Sequence, residues 1–191
     1  MLSRYRKTIN RFFERIASPI TFLPPNAITV FALLFSFLPA YLFYRGMLQP
    51  AAILLLLSGG FDVLDGAVAR LTDRTSSFGG FLDSTFDRIS DLAILAGIAL
   101  SGIVDWRLVL FTAFGSFMVP YCRARGEAAG SQEMAVGIAE RAERQLFLVA
   151  AALLHPYASE ANILEISVGI LGVVAWITVV QRIVKAKQTL E

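Results

Sequence analysis

Long apolar stretches separated by short charged ones set the layout of this chain. Ala27–Tyr44 runs eighteen residues without a charge, enough for a helix to cross about 30 Å of hydrocarbon. Five more apolar runs follow: Gly46–Phe61, Leu92–Val104, Leu108–Cys122, Gln145–Ser159 and Ile166–Gln181. Each falls short of the ~20 residues a span needs. Each reaches that length if its helix continues through neighbouring polar residues. The second extends through Asp62–Leu71, and the third begins near Gly79. The fourth continues to Arg125, and the fifth starts near Glu140. The pattern predicts an all-α, six-span core over residues 26–187, forming a single domain. Pro24-Pro25 ends whatever precedes it, and Asn26 is expected to cap the first span.

The loops test this layout. With the N-terminus inside, the cytoplasmic segments are 1–26, 72–78, 124–140 and the C-terminal tail. Of the 17 basic residues, Arg45 and Arg107 fall at external ends and the other fifteen on the inner side. That is the bias of cytoplasmic loops in multi-pass proteins of a cell membrane. Trp106, Tyr44 and Tyr157 lie near the external ends, as an aromatic belt would. In residues 1–18, five basic side chains alternate with apolar ones at helical spacing. Two readings are open: an amphipathic helix on the anionic inner leaflet, or a basic cap that orients the first span.

Composition agrees and narrows the chemistry. At 56% hydrophobic over 191 residues, the chain is too apolar for a soluble domain of this size. The lone Cys122 excludes an internal disulfide and reads as a packing residue; the lone His155 reads as a surface residue. Neither supports a thiolate or histidine-rich metal site. A nucleic-acid partner is not expected. Gly59-Gly60 and Gly79-Gly80 are expected to let helices approach closely.

Four carboxylates stand out against this background: Asp62, Asp65, Asp83 and Asp87. Spacings of three and four place each pair on one helix face. Unpaired in hydrocarbon, four such groups would cost about 10–14 kcal/mol on insertion scales. Carboxylates without nearby His or Cys suit a hard cation such as Mg²⁺ or Mn²⁺. The competing reading is an ion-pair network with Arg70 and Arg88, which leaves excess negative charge. Asp91 continues the ladder and is expected to hold Arg88 or to support the site from outside the metal ligands.

The run Asp62-Val63-Leu64-Asp65-Gly66-Ala67-Val68-Ala69-Arg70, followed by Gly79, Asp83 and Asp87, resembles the signature of the CDP-alcohol phosphotransferases. The resemblance implies an integral membrane enzyme using two divalent cations, in which an alcohol hydroxyl displaces CMP from a CDP-lipid. It implies that Asp62 and Asp83 bridge both ions, Asp65 holds one and Asp87 the other. Asp87 would also take the hydroxyl proton. Gly66, Arg70, Ser76 and Gly79 would face the nucleotide and diphosphate, with Pro25, Asn26, Ala27 and Ile28 at its border. It also implies a homodimer.

Arg123, Arg125, Arg141 and Arg144 form a second basic group. By charge alone they read as inner-side anchors. Tyr121-Cys122-Arg123-Ala124-Arg125-Gly126-Glu127 and Gly137-Ile138-Ala139-Glu140-Arg141-Ala142-Glu143-Arg144 resemble segments of the family branch that uses inositol phosphate. That likeness implies an acceptor-phosphate pocket, with inositol 1-phosphate favoured over glycerol 3-phosphate. Ala142 departs from that branch, which has Pro there. A divalent-cation transporter is the reading from another class. It is disfavoured because the acids flank one loop and are not spread across helices at the midplane.

Overall fold

The computed structural model describes residues 13–131, 134–138, 140–157 and 162–191. Six long helices carry the fold: α1 (Pro25–Tyr44), α2 (Leu48–Leu71), α3 (Ser77–Ser101), α4 (Trp106–Ala128), α5 (Arg141–Leu154) and α6 (Ile163–Leu190). There is no strand among the described residues. Most of the proposed amphipathic segment lies outside them. Its end is described: residues 13–17 are helical and pass into a 3₁₀ turn at Ser18–Ile20. Ala17 is fully buried there against Ile28, Ala67 and Val68.

Local chemistry sets the boundaries. Pro25 occupies the first turn of α1, where its missing N–H costs nothing. Pro24, not Asn26, is the N-cap, and no side chain caps this end. Asn26 therefore has its amide free to point toward α3. The Ser76 hydroxyl accepts from the Gly79 N–H at 3.0 Å and starts α3. Gly102, at φ +72°, ends it in the left-handed conformation. Asp105 and Asn162 cap α4 and α6. A reciprocal Glu140–Glu143 capping box opens α5.

Short turns make α1 to α4 successively antiparallel, and residues 129–140 join α4 to α5. Packing runs α1–α2–α5–α6–α4–α3 and back to α1, so the bundle closes as a ring. Its main apolar core gathers Phe43, Leu55, Ile98, Val109, Val149 and Leu164. These come from the end of the bundle that carries the turns after α1, α3 and α5. The opposite end holds the aspartates. Ile166, Ile170, Val173, Ile177 and Val180 form an exposed apolar stripe along α6, a surface suited to lipid. By length and hydropathy, α1, α2 and α6 can each cross a membrane. Helices α3 and α4 are long but hold no comparably apolar stretch, and α5 has 14 residues.

The expected glycine contacts hold in part: Gly59 faces Gln145 of α5 and Gly79 faces Asn26 of α1, but the tightest approaches lie elsewhere. An added Cβ at Gly60 or Gly80 would meet nothing within 4 Å. At Gly97 it would lie 2.2 Å from the Ala40 carbonyl oxygen, where α1 and α3 touch backbone to backbone. At Gly172 it would lie 2.6 Å from Thr112 Oγ1. That hydroxyl ties α4 to α6 by donating to the Val168 carbonyl at 2.9 Å. Gly97→Ala is thus expected to force α1 and α3 apart and cost about 1–3 kcal/mol, the usual range for overpacking. Thermal unfolding in detergent checks this. Gly80→Ala, on open surface, should leave the midpoint near that of the unaltered protein.

Candidate active site

Asp62 lies on the second half of α2 and Asp83 and Asp87 on the first half of α3. The antiparallel crossing brings the three half-buried side chains together. One carboxylate oxygen from each lies within 4.8 Å of the other two. Asp65 is not part of that three-way cluster. It sits one turn further along α2, 6% exposed, and its Oδ2 is buried with no hydrogen-bond partner among the described residues. A buried, unpartnered carboxylate oxygen is expensive.

The ion pairs match in part those the sequence suggested: Arg88 takes part, and Arg141 adds contacts that were not expected. Arg141, from the start of α5, donates to Asp62 Oδ2 and Asp87 Oδ1, both at 2.8 Å, and to Asp91 Oδ1 at 3.2 Å. Arg88 pairs with Asp87 at 3.1 Å. Arg70 is exposed, with Nη1 3.2 Å from the place a side chain on Gly66 would take. Asp91 does not hold Arg88; it receives Arg141 and the Gln145 amide, the latter at 3.1 Å. Arg88 and Arg141 pair directly with Asp62, Asp87 and Asp91, and Arg144 lies near Asp91, so Asp62, Asp83, Asp87 and Asp91 outnumber the guanidinium groups beside them before Asp65 is considered.

This donor set fits divalent cations. Oxygen ligands converge from two helices, one positive group is already bound between them, and a buried oxygen beside them lacks a partner.

Beside the carboxylates opens a cavity of ≈ 470 Å³. Asp87 and Asp91 form one wall. Arg88, Arg123, Arg141, Arg144 and Arg182 supply five positive side chains. Arg125, expected in this group, is exposed on α4 and does not line the cavity. Arg123 does, while pairing with Glu127 at 2.8 Å. Sequence reasoning missed Arg182 as a site residue. It closes the cavity from α6, donating to the Val136 carbonyl at 2.9 Å and to the Val119 carbonyl. Its sequence signal, one arginine ending an apolar run, is the same as that of a membrane anchor.

The residues expected at the nucleotide meet where α1 and α3 begin. Ser76 Oγ and Asn26 Oδ1 lie 3.2 and 3.3 Å from the position a Gly79 side chain would occupy. A side chain there would crowd both polar atoms, so Gly79 keeps this corner open. Pro25 is half-buried and Ala27 exposed beside them. The Ile28 side chain does not face this corner; it is buried against Ala67 and Val68. His155 is half-buried with Nδ1 unpartnered, which corrects its surface assignment. Cys122 packs against the Val119, Ala175 and Val179 cluster, as expected.

An acid cluster across two antiparallel helices, a glycine-lined corner and an arginine-walled cavity define a membrane-type phosphotransferase site. The chain belongs to the CDP-alcohol phosphatidyltransferase family, whose model matches residues 22–184, and it is a transferase of phospholipid biosynthesis. It is 43% identical to the archaetidylinositol phosphate synthase of Pyrococcus horikoshii, covering 100% of this chain and 99% of that protein. It is 34% identical to the phosphatidylinositol phosphate synthase of Streptomyces avermitilis, covering 98% and 83%. The phosphatidylinositol phosphate synthase of Mycobacterium tuberculosis, solved with CDP-DAG bound, superposes with a TM-score of 0.82 at 30% identity, covering 92% and 94%. The same enzyme in complex with manganese and citrate gives 0.80, covering 95% of this chain and 88% of that one.

Proposed function

We propose that this protein joins a CDP-lipid to inositol 1-phosphate and releases CMP. The observation that carries the reading is the convergence of Asp62, Asp83 and Asp87 beside a cavity walled by five arginines. The carboxylates suit the cations that a diphosphate requires. The arginines suit an acceptor that itself carries a phosphate. The inositol phosphate named in the relatives supports that acceptor over glycerol 3-phosphate. Identities of 43% and 40% to two archaeal archaetidylinositol phosphate synthases favour an isoprenoid ether donor over a diacyl one.

Asp62, Asp65, Asp83 and Asp87 would hold two divalent ions, Mg²⁺ or Mn²⁺. When bound, these neutralise the diphosphate and the departing CMP. Asp87 faces both the cluster and the cavity, so it is placed to take the acceptor's hydroxyl proton. The freed oxygen attacks the lipid-bearing phosphorus, the bond to the CMP phosphate breaks, and CMP leaves. Arg70 pairs with the diphosphate, and Asn26, Ser76 and Gly79 border the nucleotide. Arg123, Arg141, Arg144 and Arg182 orient the acceptor phosphate.

All six helices would span the membrane as a single domain, with both termini and the site on the cytoplasmic side and residues 1–18 on the inner leaflet. The CDP-lipid then meets the site at headgroup depth with its tails in the bilayer. The protein is proposed to work as a homodimer; native mass spectrometry showing a fully active monomer would refute this.

The test of function is CMP release by purified protein, with CDP-archaeol or CDP-diacylglycerol as donor and a panel of acceptors. Inositol 1-phosphate should give the highest kcat/KM, with CDP-archaeol the better donor. Preference for glycerol 3-phosphate would change the acceptor but keep the chemistry. Mn²⁺ uptake into liposomes without CMP release would point to the transporter reading instead.

A further inference from the structure

Arg141 touches three carboxylates from two helices, and these partners are not equivalent. Asp62 and Asp87 belong to the cluster that fits divalent cations; Asp91 does not. Oxygens that hold cations have less negative charge to offer a guanidinium. Asp91 lies outside that cluster, so its contact with Arg141 does not compete with a cation. It sits one helical turn beyond Asp87 on α3 and lines the acceptor cavity. Its Oδ1 accepts from Arg141 Nε at 3.2 Å and from Gln145 Nε2 at 3.1 Å. Arg141 and Gln145 are four apart on α5, so one carboxylate oxygen gathers two donors from the same helix face. The other end of the Gln145 amide faces Gly59 of α2, where an added Cβ would lie 3.4 Å from Oε1. Attachment through Nε fixes the plane of the guanidinium, whose Nη1 meets Asp62 and Asp87 at the edge of the cavity.

We propose that Asp91, braced by Gln145, is the positioning residue that aims Arg141 at the phosphate of the acceptor. The proposal rests on the cavity being the acceptor site. Asp91 touches neither substrate; it acts through Arg141. The plainer alternative is that Asp91 is a clip that holds α3 to α5.

The test measures inositol 1-phosphate affinity by calorimetry and the KM of each substrate, on Mg²⁺-loaded protein. The variants are Arg141→Ala, Asp91→Ala, Asp91→Asn and Gln145→Leu, together with the Arg141→Ala/Asp91→Ala double variant. Asp91→Ala should weaken acceptor affinity about tenfold, from loss of one charged hydrogen-bonding partner, and leave the KM of the CDP-lipid unchanged. Asp91→Asn keeps an acceptor oxygen without the charge and should fall between. Gln145→Leu should show a smaller loss of the same kind. In the double variant the loss should match that of Arg141→Ala alone, because Asp91 has nothing left to aim. Multiplying losses would overturn the proposal. So would unchanged acceptor affinity in Asp91→Asn together with a lowered melting midpoint, the signature of a clip. Normal acceptor affinity in Arg141→Ala would remove the cavity reading and this proposal together. Impaired Arg141→Ala beside normal Asp91→Ala would remove this proposal alone.

Discussion

Asp62→Asn and Asp83→Asn should each abolish CMP release in protein that still folds and inserts. Each removes one charge from a cluster whose carboxylates outnumber the guanidinium groups beside them. Loss of that charge lowers affinity for the divalent ions. The ions' stabilisation of developing charge is worth several kcal/mol, and each 1.36 kcal/mol is tenfold in rate. A fall of roughly a thousandfold follows. Asp87→Asn should fall as far in turnover yet keep donor affinity, since an amide can still ligate weakly but cannot accept the proton. The checks are initial rate, donor affinity by calorimetry, and melting midpoint. A merely structural ion-pair network predicts a different pattern: a lowered midpoint, with normal rates in the fraction that remains folded. Near-normal turnover in Asp87→Asn would remove that residue from the base role.

The second large effect concerns the acceptor. Free inositol should be a poor substrate. Free inositol brings no phosphate to Arg123, Arg141, Arg144 and Arg182, which line the cavity. Losing one charged hydrogen-bonding partner costs about 1.5–3 kcal/mol, roughly tenfold to hundredfold in kcat/KM per contact. Arg141→Ala and Arg182→Ala should raise the KM for inositol 1-phosphate, and Arg125→Ala, on the exposed face of α4, should not. If these arginines are only inner-side anchors, their removal lowers yield or insertion and leaves the kinetics of surviving protein unchanged. Equal rates with free and phosphorylated inositol would defeat the pocket.

Much of this arrangement was legible in the residues before any coordinates, and the misses have physical reasons. Apolar runs located the helices because hydrophobic length is a local signal, whereas the cap expected at Asn26 falls at Pro24. The aspartate pairs were legible because spacings of three and four share a helix face. The same rule separates Arg123 from Arg125: two apart, they point to different sides of α4, and only Arg123 reaches the cavity. Arg141 was expected among the acceptor arginines, but its carboxylate partners were not foreseen, since its bonds to Asp62 and Asp91 join residues 79 and 50 positions apart. No local pattern encodes such a distance. Arg182 comes from the last helix and reaches the site only through ring closure between α4 and α6. Paired glycines looked like contact points, but the close approach at Gly97 depends on which face of α3 meets Ala40.

The central claim is that the acid cluster holds divalent cations which drive CMP release from a CDP-lipid. Its most direct test is a single titration. Purified protein is stripped with a chelator, and CMP release from CDP-archaeol and inositol 1-phosphate is followed as Mg²⁺ or Mn²⁺ is returned. Release should be absent in the stripped protein and recover saturably with either ion, and Asp83→Asn should not recover at concentrations that saturate the unaltered enzyme. CMP release at the full rate from chelated protein would contradict the claim.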